Sequence, residues 1–424
     1  MMYPRLLIIS NEGFSKTSSN GRTLANLLAG WPKAQLAQFC LIDENPDFDT
    51  CENIFQVSDG QALRALFGRA EGGVLHPEAG SAPMGSVDSA AGLRSSLPRN
   101  TLTMLARDFV WSTGRWKRCG FDKWVADFAP QLVLLQAGDT GFMLELAMQV
   151  AKQYRIPLAV YNSENYYFKD FNYFQDSGLS AALYGFFHRR FQRQMRRLME
   201  QGDCFLYLCD KLTRMYAAEF GREGHTVYTP ASVIRHGQAK TGAFRTAYLG
   251  NLGLGRHLAL IEFASVLREI DPSLSLDVYG NATEEIKSAF AACDTIRFHG
   301  LVPYETVQQV MADSSLLIHV EGKDPFTVKD LEAGFSTKIA DCLGSGTPLL
   351  LYAPPTIACS EYVQEQKCAF YASDPDTLQS ALRAAMDPKQ TQTILDRAYE
   401  VACENHDSQK TTKSVQALLC GLVK

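Results

Sequence analysis

The chain opens on a short apolar run, Leu6-Leu7-Ile8-Ile9, followed by a polar stretch over 11–20, then Gly21 and an apolar-periodic segment over 22–28. That order predicts a strand, a loop and a helix, the opening of an α/β unit. The apolar runs Leu132-Val133-Leu134-Leu135, Leu158-Ala159-Val160-Tyr161 and Phe205-Leu206-Tyr207-Leu208 predict buried strands, with a helix over 141–154 between the first two. Residues 69–100 are rich in Gly, Ala, Ser and Pro, the composition of a long flexible surface insertion. A polar stretch from Pro230 to Gly242 predicts a linker. Beyond it strands are expected at 247–249, 274–279, 295–298, 316–320 and 348–352, alternating with helices at 257–270, 284–292, 304–311, 337–343 and 377–386. Such alternation predicts parallel sheets with helices on both faces. The expected class is α/β, with two Rossmann-like doubly wound domains over 1–235 and 236–395. A helical segment over 396–424 is expected to pack back on the first domain. Ligands of such sheets bind outside the C-terminal strand ends, which points to a cleft between the domains.

Composition narrows the function without choosing it. The 424 residues are 46% hydrophobic and 21% charged with net charge −5, which excludes a disordered chain and offers no global basic field for nucleic acid. No apolar run has membrane-spanning length, and the run at the N-terminus is too short for a signal peptide. The 11 cysteines include no Cys-x-x-Cys, which argues for buried thiols in a reducing compartment rather than a zinc site. The expected location is the cytoplasm, at the inner face of the membrane if the chain meets one.

Two segments carry candidate chemistry. Gly250-Asn251-Leu252-Gly253-Leu254-Gly255-Arg256-His257 follows a predicted strand and opens a helix, where glycines let backbone amides approach a phosphate and Arg256 adds charge. An ordinary tight turn with a solvated Arg has the same composition. In the second segment, Ser336 is placed to cap a helix whose Thr337 and Lys338 amides would point at an anion. Lys338 and Asp341 fall on one helix face, suiting a diphosphate and sugar hydroxyls respectively, or forming a plain surface ion pair.

Taken together, Tyr248 to Arg256, Asp277-Val278-Tyr279-Gly280, Phe298-His299-Gly300-Leu301-Val302, Leu317-Ile318-His319-Val320-Glu321 and Ser336 to Pro348 resemble a known set in order and spacing. They are similar to the donor-binding domain of GT-B glycosyltransferases, most like family 4 enzymes of bacterial capsular and surface polysaccharide assembly. Asn20-Gly21-Arg22-Thr23-Leu24 resembles the first loop of related enzymes. The resemblance implies two domains facing a cleft, a nucleotide-diphosphate sugar as donor, no cofactor, and retention of anomeric configuration. It implies a donor site of Gly21, Asn251, Gly253, Gly255, Arg256, Ser336, Thr337 and Lys338. Asp341 stands at the second Glu of the family's Glu-x7-Glu element and would hold the ribose, while the backbone around His299 meets the base. Ala333 stands where the first Glu belongs, with Glu321 or Glu332 as the substitute. No Asp-x-Asp is assigned to a metal, so Arg256 and Lys338 are expected to take the place of Mg²⁺.

The first domain offers less. Glu164, just past a predicted strand, either accepts a proton from an acceptor hydroxyl or caps the next helix. In the segment 186–199, Phe187, Phe191, Met195 and Leu198 share a face opposite Arg189, Arg190, Arg193, Arg196 and Arg197. That is either a core-facing helix or a peripheral contact with an anionic membrane. The expected partners are a nucleotide-sugar donor and a glycan or lipid-linked acceptor, with no nucleic acid and the oligomeric state open. A catalytically silent GT-B subunit is the alternative. A dinucleotide oxidoreductase fits worse, because the glycine pattern is incomplete and Asp271 falls in a turn with Pro272.

Overall fold

The computed structural model describes residues 2–16, 19–41, 46–76 and 98–423. It forms two compact units, one of Met1–Leu208, Leu212–Val227 and Thr412–Lys424, the other of Cys209–Lys211 and Tyr228–Thr411.

The first unit contains β1 (Leu6–Ile9), α1 (Ser19–Leu27), β2 (Leu36–Cys40), β3 (Asn53–Gln56), α2 (Asp59–Leu66), β4 (Gly73–Leu75), α3 (Thr101–Ser112) and α4 (Phe121–Phe128). It continues through β5 (Leu132–Ala137), α5 (Gly141–Tyr154), β6 (Leu158–Asn162), α6 (Gly178–Gln201), β7 (Cys204–Tyr207), α7 (Asp210–Phe220) and β8 (His225–Thr226). Among the described residues the sheet order is β4-β3-β2-β1-β5-β6-β7-β8, parallel except for β4, which runs antiparallel to β3 at the edge. The apolar runs of β1, β5 and β6 are buried along their whole length because helices cover both faces of the sheet. β4 belongs to the stretch expected to be a surface insertion; residues 77–97 of that stretch lie outside the described residues. An aromatic cluster docks α3 and α4 on the sheet, with Phe39 stacked on Trp116 at 5.2 Å and meeting Phe121 edge-on at 5.1 Å.

The second unit contains β9 (Thr246–Leu249), α8 (Arg256–Ile270), β10 (Leu276–Tyr279), α9 (Glu284–Ala291), β11 (Ile296–Gly300), α10 (Tyr304–Asp313), β12 (Leu316–Val320) and α11 (Pro325–Asp330). Then follow α12 (Thr337–Gly344), β13 (Leu349–Tyr352), α13 (Ala358–Gln366), β14 (Phe370–Ala372), α14 (Pro375–Ala385), α15 (Pro388–Asn405) and α16 (Ser408–Gly421). The last of these enters the first unit at Thr412, whose Oγ1 donates to the Asn26 carbonyl at 2.9 Å, while Val415 and Leu419 join Leu24 and Leu27 in its core. The order β11-β10-β9-β12-β13-β14 is parallel throughout. Strand order therefore reverses between β9 and β12, and the crevice at their carboxyl ends is where a doubly wound sheet binds ligands.

One buried group makes the second unit pH-sensitive. His406 is enclosed, with Nδ1 2.8 Å from the Thr229 carbonyl and Nε2 2.8 Å from the Tyr362 hydroxyl. A neutral ring donating through Nδ1 and accepting from Tyr362 satisfies both contacts. Burial lowers its pKa to about 4 against a backbone hydrogen bond that opposes the shift. A histidine depressed on folding adds stability above its unfolded pKa near 6.5 and loses it as pH falls through the folded value. Denaturant unfolding is therefore expected to show about 3 kcal/mol less stability near pH 4 than at neutrality from this group, a slope that His406→Gln removes.

Candidate functional site

β9 ends at Leu249 and the chain turns through Gly250 to Gly255 before α8 begins. Local bonds set the turn: the Tyr248 hydroxyl donates to the Asn251 carbonyl at 2.6 Å, and Gly253 N–H donates to Asn251 Oδ1 at 2.7 Å. Gly255, at φ 71°, takes the left-handed conformation that only glycine adopts without strain, and it is the N-cap position of α8. Leu254, at φ 55°, accepts that strain as a leucine, a feature that concentrates at functional loops.

Arg256 then points inward. Its Nε and Nη2 both lie 2.7 Å from Glu321 Oε2, and Glu321 Oε1 lies 3.0 Å from His319 Nε2; all three side chains are buried. Burial works to raise the Glu321 carboxyl, but the hydrogen bond from His319 and the Arg256 guanidinium outweigh it and hold it below the usual glutamate range. Burial lowers His319, against its bond to Glu321, so a neutral imidazole donates to an anionic carboxylate. Arg256 and Glu321, expected on the donor's phosphate and sugar, thus neutralise one another, and neither is among the side chains lining the cleft beside them.

That cleft, about 640 Å³, opens at the carboxyl ends of β9 and β12. Asn251, Tyr279, His319, Lys338 and Asp341 give it a polar part; Ile286, Leu301, Val302, Val307, Met311 and Leu317 give it an apolar one. Lys338 sits in the first turn of α12, half-buried, and its ammonium rests against Gly250: a Cβ there would stand 2.6 Å from Nζ. A side chain at 250 would displace the lysine's end from this position. Among the described residues the ammonium has neither a hydrogen-bond nor an ion-pair partner. Burial first, and then the Arg256 charge, push its pKa below that of an ordinary lysine, with Glu321 opposing. Ser336 holds the N-cap position of α12, but its side chain makes no capping bond. Thr337 is half-buried beside it. One turn on, Asp341 faces the same cleft with Oδ1 accepting from Ser232 N–H at 2.9 Å.

The remaining expected residues divide. Gly253 lines the cleft with Asn251. His299 is exposed outside it, 2.7 Å from Asp277 Oδ1, and stacks at 4.5 Å on Tyr279, which does line it. Ala333 is fully buried and Glu332 exposed. Gly21, within α1, and Glu164, half-buried after β6, belong to the first unit. The turn Tyr166–Phe168 that follows has Asn165 at its N-cap position, and that residue's side chain makes no capping bond. Near it lies a group that the sequence did not suggest. Arg99 pairs with Asp139, Tyr173 donates to Asp139 at 3.1 Å, and the Lys169 ammonium stands 4.8 Å from the Tyr166 ring centre. Two Asp-x-Asp triplets do occur in the chain. Asp49 of the first pairs with Lys16 at 2.5 Å, and Asp374 of the second caps α14. On α6, Phe187, Phe191, Met195 and Leu198 are buried in the core, while Arg190, Arg196 and Arg197 pair with Asp108, Glu219 and Glu145.

Residues 256–417 match the family model described as Glycosyl transferase-like. No curated protein matches the chain. Among solved structures it is similar to HepE of Anabaena in complex with UDP, at 12% identity and a TM-score of 0.62 over 98% of this chain and 100% of that one. It is similar to sucrose-phosphate synthase of Thermosynechococcus elongatus, at 12% identity and a TM-score of 0.62 over 98% of each chain. It is also similar to MurG of Acinetobacter baumannii, at 10% identity and a TM-score of 0.54 over 99% and 100%. The shared architecture is the GT-B fold.

Proposed function

We propose that the chain, which has the GT-B fold, is a glycosyltransferase, that the cleft of its second unit takes a nucleotide-diphosphate sugar and that the sugar passes to a hydroxyl of a glycan or lipid-linked acceptor. The observation that carries this is Lys338, a half-buried cation at the start of a helix and the mouth of a glycine turn, with no hydrogen-bond or ion-pair partner among the described residues. Cleavage of the anomeric C–O bond leaves its electron pair on the departing diphosphate. A preorganised ammonium in a partly dry site stabilises that charge more than water does. In this reading Asp341, which lines the cleft, accepts from ribose hydroxyls, and the base lies on the wall of Leu301, Val302 and Val307. The HepE structures with UDP, and with UDP and glucose, lend support to this donor class.

Arg256 enters the reading differently from Lys338. Its guanidinium is paired with buried Glu321, so in this reading it is a positioning residue. Glu164 is the carboxylate of the first unit proposed for the acceptor. Transfer with retention and without a metal ion, in surface polysaccharide assembly of the family 4 kind, completes the proposal.

Thermal-shift titration of the purified chain with UDP, GDP, ADP and the matching nucleosides tests the donor. One diphosphate is expected to stabilise by about 2.7 kcal/mol at 100 times its Kd, and its nucleoside far less. Release of that diphosphate from its sugar by the chain alone, unchanged by EDTA, is the expected activity. Binding without release or transfer would instead favour the silent-subunit reading.

A further inference from the structure

Helices α3 and α6 run side by side in the same direction: Leu102 N–H meets Ser180 Oγ at 3.3 Å, and six residues on, Asp108 pairs with Arg190 at 2.6 Å. Their facing sides close over Met104, Tyr184 and Phe187. Their outward sides are unexpectedly apolar. Leu102 and Phe109 on α3, and Leu179 and Phe186 on α6, are each 40–68% exposed. Both pairs are seven residues apart, so each lies on one helix face two turns long. Continuing the α6 stripe beyond Phe186 come Arg189 and Arg193, both exposed. Unlike Arg190, Arg196 and Arg197, they have no acidic partner among the described residues. Before Glu200 the two helices carry a single carboxylate, Asp108, and it is buried against Arg190.

We infer that this stripe, Leu102, Phe109, Leu179 and Phe186 with Arg189 and Arg193, docks on an anionic lipid bilayer. Large apolar side chains standing out of one helical surface are what an interface helix inserts below the headgroups, and adjacent unpaired arginines meet anionic headgroups at the same level. The stripe offers no acid to pair with a basic partner. No helix of the described residues is long and apolar enough to cross a membrane, so the contact is peripheral. The membrane surface expected over 186–199 is thereby relocated: the apolar face of that segment is core, and the exposed one begins at Leu179. This inference stands independently of the donor assignment.

Flotation of the full chain with phosphatidylcholine vesicles, with and without phosphatidylglycerol, tests it. Binding to the anionic vesicles is expected to exceed binding to the neutral ones by about tenfold at low salt and to fall as salt rises. Phe109→Ser with Phe186→Ser, and separately Arg189→Ser with Arg193→Ser, are expected to lose about tenfold in binding with an unchanged melting temperature. No binding at low salt, or equal binding to both vesicle types, overturns the proposal. Self-association of a chain that ignores vesicles, abolished by Phe109→Ser with Phe186→Ser, assigns the stripe to a second copy and also overturns it.

Discussion

Lys338→Ala is expected to lower turnover by about 10²–10³-fold, the usual loss when one preorganised donor to a developing negative charge is removed. Its melting temperature is expected to stay at the wild-type value. The ammonium has no protein partner among the described residues, so its removal orphans no buried carboxylate and relieves a desolvated charge. Lys338→Arg is expected to fail as well, because the aliphatic end of the lysine already fills the space over Gly250, where even a methyl group would come within 2.6 Å of Nζ. Burial and the Arg256 charge lower the Lys338 pKa. The protonated form is the one that stabilises the leaving diphosphate. Turnover should therefore decline on the alkaline side before an ordinary lysine would lose its proton. A steady-state pH profile of the wild type checks that limb, and near-normal turnover by Lys338→Ala would remove the lysine from the mechanism.

Glu321→Ala is expected to act on stability instead, lowering it by about 3–5 kcal/mol, the range for breaking a buried ion pair from one side. Arg256 would be left enclosed without its carboxylate, and His319 would lose its acceptor. Glu321→Gln keeps a hydrogen-bond acceptor and is expected to lose less. Pairing Glu321→Ala with Arg256→Met removes the stranded charge and is expected to restore much of the difference, since a buried pair replaced by apolar side chains is often neutral. Denaturant unfolding of the three variants measures this directly. Wild-type stability in Glu321→Ala would show that Arg256 finds water or another partner.

The contrast between these two cations shows what was legible in the sequence. The segment from Ser336 to Pro348 placed Lys338 at the start of a helix with Asp341 one turn on, and the structure has both at the cleft. The segment alone could not show that the two remain unpaired, because the bond to Asp341 comes from Ser232, 109 positions away. Arg256 was equally well placed at its helix start, yet its partner Glu321 is 65 positions distant and its side chain turns into the interior. Gly250 was legible as a turn glycine, whereas the lysine packed on it is a contact between separate elements.

The fold follows the same rule. Strands β5, β6, β12 and β13 each carry at least three consecutive apolar residues and are buried along their length, and they stand where the pattern put them. β2 and β3 escaped because they include polar residues that the interior satisfies. Gln38 is fully buried, with Nε2 donating to Ser10 Oγ and Oε1 accepting from Phe14 N–H, both at 2.9 Å. A single strand does not reveal such bonds. Helical periodicity placed the core face of α6 correctly, since Phe187, Phe191, Met195 and Leu198 are all buried. It did not reach back to Leu179 or across to Leu102 and Phe109, whose exposure depends on how α3 lies beside α6.

Calorimetric titration of the wild type and Lys338→Ala with the preferred nucleoside diphosphate and with its parent nucleoside tests the central claim, that Lys338 holds the diphosphate in the second unit. The wild type is expected to prefer the diphosphate strongly, and the variant to lose most of that preference while binding the nucleoside as before. Equal preference in both proteins would contradict the claim.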